Sequence, residues 1–225
     1  MSDTKLTDFV RIWDNVVPDP ICDMIVDAFE EDSDHHVESF VGESAGPDDR
    51  EYGQGHADPN GQYRNAIEMN VVHRAEENPR WKNIVNILNN ITRQQLERYR
   101  NEMTENGFPP YMLPKDLVIE DWRMHRYDPG KHYFKDHIDS CDLSSASRYL
   151  GMLYYPATVD EGGETAFTWH LEGVECKPKK GRLLIFPTWF GFPHEAKVPI
   201  SNSKYLIKTF LHYPGMPPEA CKNDT

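Results

Sequence analysis

The sequence predicts a mainly β fold with helices in its N-terminal part (α+β), an antiparallel sandwich or jelly roll. Three observations predict it. From Leu117 onward, short runs rich in β-branched and aromatic residues follow one another. Gly, Pro and Asp turns separate these runs, and no helical pattern interrupts them. The remaining long periodic stretch lies ahead of them, and a length of 225 residues suits one domain.

Each element has its own warrant. Phe9 to Val17 alternates loosely, as a short strand does. Asp19-Pro20 opens a helix to about Phe29, with Ile21, Met24, Ile25 and Phe29 on one face. Residues 31–62 are rich in Asp, Glu, Gly, His and Pro and read as a long loop, either a lid or surface disorder. Asn78-Pro79 is a cap and first-turn pair. Behind it Trp81, Ile84, Leu88, Ile91, Tyr99 and Met103 form the packing stripe of a long helix, which Gly107-Phe108-Pro109-Pro110 stops. The strands are read as Val118–Tyr127, Tyr149–Tyr155, Glu164–Thr168, Gly173–Lys177, Arg182–Phe186 and Lys204–Tyr213. The expected organisation is helical support and a lid loop over 1–116, a jelly-roll core over 117–213 and a tail over 214–225.

Composition narrows the function. A formal net charge of -13 and a pI near 5.2 disfavour a protein built to hold phosphate backbone, so nucleic acid is not an expected partner. Small molecules and neutral-to-basic peptides remain. Cys22, Cys141, Cys176 and Cys221 are scattered, the usage of a reducing compartment. The first residues show neither a basic segment nor an apolar one, and no run reaches membrane-spanning length. A cytoplasmic protein without a membrane partner is expected.

Four residues carry the chemistry. His137 and Asp139 stand as His-x-Asp, His194 follows in Phe192-Pro193-His194-Glu195, and Lys204 opens the last strand-like run. Side chains two apart in a strand share a face, so His137 and Asp139 point together if they lie at a strand end. Two imidazoles and a carboxylate without a thiolate suit Fe(II) or another mid-series divalent ion, with open positions opposite the protein. The triplet alone is a weak signal, and His132 with His137 offers a rival zinc-like spacing that lacks Cys partners. Lys204, Leu206, Lys208 and Phe210 share one strand face. An inward Lys is costly unless an anion meets it, and an acidic co-substrate would be that anion. Tyr127 and Tyr155 are candidate donors to the same group. Trp189, Phe190 and Phe192, just ahead of His194, read as an aromatic substrate rim or as core, and Arg148 is a candidate substrate contact.

The order of these motifs resembles a known family. Tyr127-Asp128-Pro129-Gly130 leads to His137-x-Asp139, then Leu153-Tyr154-Tyr155, then Glu161-Gly162-Gly163-Glu164-Thr165-Ala166-Phe167. Pro178-Lys179-Lys180-Gly181-Arg182-Leu183-Leu184-Ile185-Phe186, His194 and Lys204 complete the series. Over about residues 118–213 it is similar to the prolyl 4-hydroxylase-like branch of the Fe(II)/2-oxoglutarate-dependent dioxygenases. The resemblance implies a double-stranded β-helix (jelly-roll) core. It implies Fe(II) on His137, Asp139 and His194, and 2-oxoglutarate held by Lys204 with Tyr127 and Tyr155. It also implies O2 as oxidant, with ascorbate as a further candidate. The implied activity is that of a procollagen-proline 4-dioxygenase-like hydroxylase acting on a prolyl residue of a peptide or protein, with release of succinate and CO2. The alternatives are a hydroxylase of a free amino acid or another small molecule, and a sensor that binds metal and 2-oxoglutarate without turnover.

Overall fold

A computed structural model describes residues 5–39, 63–171 and 173–214. In chain order the strands are β1 (Arg11–Trp13), β2 (Val37–Ser39), β3 (Arg64–Asn70), β4 (Val118–Ile119), β5 (Arg123–Tyr127), β6 (Tyr133–His137), β7 (Arg148–Tyr155), β8 (Thr165–Phe167), β9 (Glu175–Cys176), β10 (Arg182–Pro187), β11 (His194–Ala196) and β12 (Lys204–His212). The helices are α1 (Asp19–Glu31), α2 (Val71–Glu77) and α3 (Pro79–Glu105). Most of the expected lid loop, residues 40–62, and the tail beyond 214 lie outside the described residues.

All strand pairs are antiparallel, in the order β1-β10-β7-β12-β5-β3-β6-β11-β8-β9. The ladder rolls into two layers at β3. Its C-terminal half pairs with β5 (Ile67 opposite Arg126), while its first residues pair with β6 (Arg64 opposite Phe134). We call the β1-to-β3 side the major sheet and the β6-to-β9 side the minor sheet. This is the jelly-roll architecture.

The major sheet is buried on both faces, so its strands read as nearly unbroken apolar runs. Alternation sorts them. Met152, Tyr154, Leu183, Ile185, Ile207 and Leu211 face the helices and pack with Ile25, Phe29, Trp81, Ile84 and Leu88. Leu153, Tyr155, Leu184, Phe186 and Leu206 face the inside of the roll with Phe167 and Phe192. Two hydrogen bonds fix α3 against this layer, the buried Thr92 Oγ1 with Tyr154 Oη at 2.8 Å and the partly buried Trp122 Nε1 to Asn89 Oδ1 at 2.8 Å. Among the described residues no helix is long and apolar enough to cross a membrane.

Several expectations need correction. Phe9–Val17 holds only the three-residue strand β1, preceded by a 3-10 turn. Val118–Tyr127 is two strands interrupted at Glu120–Trp122. The segment after residue 62 contains β3 and α2, which apolar periodicity does not announce. Asn70 starts α2 by accepting hydrogen bonds from the amides of Val72 and His73. The N-terminal part is therefore more than helical support, since β1 and β3 are members of the sheet. The paired glycines Gly162 and Gly163 both adopt φ of +75°, and a Cβ on Gly162 would meet the Val198 carbonyl oxygen at 2.6 Å. Glycine is required there so that the turn into β8 can close against the 198–200 segment.

Candidate metal centre

Strand register builds the centre. His194, the first residue of β11, is the direct partner of His137, the last residue of β6. Their rings lie 4.3 Å apart between centroids. Asp139 reaches them from the bend after β6, not from the strand itself, and the Ser140 amide pins that bend on the Thr188 carbonyl at 3.1 Å. Asp139 Oδ1 is 3.8 Å from His137 Nε2, and Oδ2 is 3.5 Å from His194 Nε2. One donor atom from each of the three residues falls within 4.8 Å of the others.

The protein also fixes how each donor points. His137 Nδ1 lies 2.7 Å from the Lys135 carbonyl, and His194 Nδ1 lies 3.1 Å from the Phe192 carbonyl. A carbonyl only accepts, so each Nδ1 carries the proton and each Nε2 presents its lone pair to the centre. Burial, then the neighbouring His194, holds the His137 imidazole well below its ordinary pKa and so neutral. Burial pushes Asp139 up, yet His194, His137, Lys208 and Arg148 together outweigh it and hold the carboxyl below its ordinary range. Asp139 Oδ2 is buried without a hydrogen-bond partner. Two aimed lone pairs beside an orphaned carboxylate oxygen fit a divalent cation of the Fe(II) class.

Arg148 braces the backbone of Asp139. Its Nε and Nη2 donate to Glu120 at 2.9 and 2.8 Å, and Nη1 donates to the Asp139 carbonyl at 2.9 Å. The residue expected to touch substrate is thus committed to positioning the 139–148 loop. Arg148→Met should lower divalent-metal affinity by roughly 10-fold, the low end for a group that orients a ligand. Calorimetric metal titration checks this, because a residue that met only substrate would leave metal affinity unchanged.

Lys204 lies deeper in the roll and is 0% exposed. Register places it opposite Tyr127. Its Nζ donates to Thr165 Oγ1 at 3.3 Å, and Tyr155 Oη donates to the same oxygen at 2.8 Å. The Tyr127 and Tyr155 ring centroids are 5.3 and 5.8 Å from the ammonium. No carboxylate pairs with it among the described residues, and burial pushes its pKa down to about 8. The expected cluster of Lys204, Tyr127 and Tyr155 is therefore brought together around a cation that forms no ion pair among the described residues.

The rival zinc-like pair does not assemble, because His132 is buried with Nδ1 accepting from the Asp128 amide at 2.9 Å, where it holds the 128–132 turn. Trp189 and Phe190 are exposed, the latter at 77%, whereas Phe192 is core. Sequence reasoning missed a buried polar group on β3 and β5. Glu68 is 2% exposed and pairs with Arg64 at 2.5 Å and Arg123 at 2.7 Å, and His125 lies beside it. The available signal was the alternation of Ala66 and Glu68 against Ile67 and Met69.

Residues 122–212 match the profile of the 2OG-Fe(II) oxygenase superfamily. A search of curated proteins finds no match. Among solved structures, the chain is similar to a viral collagen prolyl hydroxylase of Paramecium Bursaria Chlorella virus-1 in a 2OG complex. That match has 18% identity and a TM-score of 0.63, covering 92% of this chain and 97% of that one. A Trichoplax adhaerens prolyl hydroxylase, in complex with a hypoxia inducible factor oxygen degradation domain peptide fragment, gives 16% identity and a TM-score of 0.65 over 92% of this chain and 84% of that one. A Pseudomonas putida prolyl-4-hydroxylase gives 13%, 0.55, 92% and 94%. Over residues 122–212 the chain is similar to the 2OG-Fe(II) oxygenase superfamily, and its fold is like that of these prolyl hydroxylases.

Proposed function

We propose that the protein is a 2-oxoglutarate-dependent dioxygenase that hydroxylates a prolyl residue of a peptide or protein, releasing succinate and CO2. The observation that carries it is the placing of three aimed metal-type donors and a fully buried ammonium inside one roll. Fe(II), with 2-oxoglutarate and dioxygen, supplies the oxidation of an unactivated C–H bond. His137, Asp139 and His194 would hold the iron, and Lys204 would hold the distal carboxylate of 2-oxoglutarate, with Tyr127 and Tyr155 as its walls. Leu184, Phe186, Leu206 and Phe167 line the interior and exclude water from the reacting groups.

The peptide reading is supported by the aromatics around the opening. Trp169 donates its indole N–H to Asp136, the neighbour of His137, at 2.9 Å. Trp189 and Phe190 sit on the loop that runs into His194, and all three rings are exposed. Proline-rich segments dock on such rings because they arrive already extended. Unpaired Cys22, Cys141 and Cys176 support a reducing compartment, and we place the protein in the cytoplasm.

Incubation with Fe(II), 2-oxoglutarate and proline-containing peptides should add one oxygen atom to proline, read by mass spectrometry with fragmentation. Oxygen appearing only on free amino acids would replace the peptide reading. Succinate without any oxidised product would favour a sensor.

A further inference from the structure

β12 carries a second inward lysine. Lys208 shares the interior face with Lys204, four residues away, or roughly 13 Å along the strand. It is opposite Arg123 on β5, while Leu206 is opposite His125, so Lys208 and His125 are diagonal neighbours on one face. Apart from the Phe210 ring, 5.1 Å from Nζ, Lys208 has neither a hydrogen bond nor an ion pair among the described residues. The same Phe210 ring lies 4.1 Å from the Arg148 guanidinium, which holds the Asp139 carbonyl at 2.9 Å, and this puts the ammonium near the metal ligands.

His125 is 0% exposed, and its Nδ1 lies 2.9 Å from Arg64 Nη2. A guanidinium only donates, so Nδ1 is the acceptor and the ring proton sits on Nε2. Nε2 is buried without a partner. A buried donor left unsatisfied is costly, so His125 Nε2, with the partly buried Lys208 ammonium on the same face, calls for an acceptor. The surroundings favour a charged one. Arg64 and Arg123 flank the pair, with Glu68 the carboxylate between them. This cationic pocket is set in a chain of net charge -13.

We propose that Lys208 and His125 form a subsite for a carboxylate of the substrate, beside the metal and separate from the one at Lys204. It rests on the oxygenase reading only in placing a substrate next to that metal. The carboxylate has two sources, an acidic side chain near the target in a peptide, or the α-carboxylate of a free amino acid.

The test uses full-length protein loaded with Zn(II) and 2-oxoglutarate, so that binding is read without turnover. Four probes are titrated calorimetrically: a proline peptide with a flanking Glu, the same peptide with Gln, L-proline and L-prolinamide. The carboxylate member of one pair should bind at least ~10-fold more tightly than its amide, and which pair does so identifies the source. Lys208→Met should reduce that preference to less than ~2-fold, and Lys208→Arg should keep most of it. Melting curves confirm that both variants are folded, and Lys208→Gln replaces Lys208→Met if it is not. Equal binding within both pairs, no binding by any probe, or a preference that survives in folded Lys208→Met overturns the subsite. The two readings fail separately. Carboxylate preference without oxygen transfer by the Fe(II) protein sinks prolyl hydroxylation alone, and oxygen transfer without preference sinks the subsite alone.

Discussion

His194→Ala is expected to abolish both metal binding and succinate formation while the fold survives. The reason is geometric. His194 is 4% exposed, its ring packs edge-on against Phe186 at 4.7 Å, and its Nδ1 is tied to the Phe192 carbonyl. No freedom is left for another side chain to replace its Nε2. Losing a group that merely orients a ligand costs roughly 10–100-fold in metal affinity, so losing the ligand itself should exceed that range. Anaerobic titration with Fe(II) and 2-oxoglutarate reads this through the visible band of the chelated ion. His137→Ala is the companion variant, because His137 is half-buried and leaves a smaller hole in the core. Wild-type affinity in either folded variant would remove that residue from the ligand set.

The parts of this molecule that were legible in the sequence are those where one physical signal acts alone. The Asn78-Pro79 cap and a three-and-four-residue apolar stripe specify α3 without tertiary help. β7, β10 and β12 are long and apolar enough to declare themselves, and the inward face of β12 follows from counting by two. β3 was illegible because its interior face holds Arg64 and Glu68, which read as solvent-facing until Arg123 and His125 on β5 are seen to meet them. β11 has three residues, and only its pairing with β6 and β8 makes it a strand. Arg148 reads equally well as a substrate contact or a brace. Its choice depends on Glu120, 28 residues earlier in the chain, which no local pattern reveals.

Lys204→Ala should weaken 2-oxoglutarate binding by roughly 2–5 kcal/mol, the scale for removing one member of a buried charge pair. Stability without the co-substrate should move the other way. In the free protein the Lys204 ammonium is buried against two aromatic rings and a hydroxyl, and no carboxylate among the described residues pairs with it to offset its lost hydration. Lys204→Met keeps the volume and removes that cost, so the free variant should match or exceed wild type, while the gain in melting temperature on adding 2-oxoglutarate should vanish. The pH dependence fixes the sign. Folding lowers this pKa from 10.5 to about 8, so between those values the unfolded chain binds more protons. Wild-type stability should therefore rise with pH from about 8 toward 10.5, by on the order of a few kcal/mol from this group, and its penalty should be fully present below about 8. Lys208 titrates in the same window, so the measured quantity is the difference between wild type and Lys204→Met in urea midpoints across that range. Saturating 2-oxoglutarate supplies a paired counter-charge, raises the lysine pKa and should flatten the difference. Parallel pH profiles, or unchanged 2-oxoglutarate affinity in Lys204→Ala, would show that this ammonium waits for no anion.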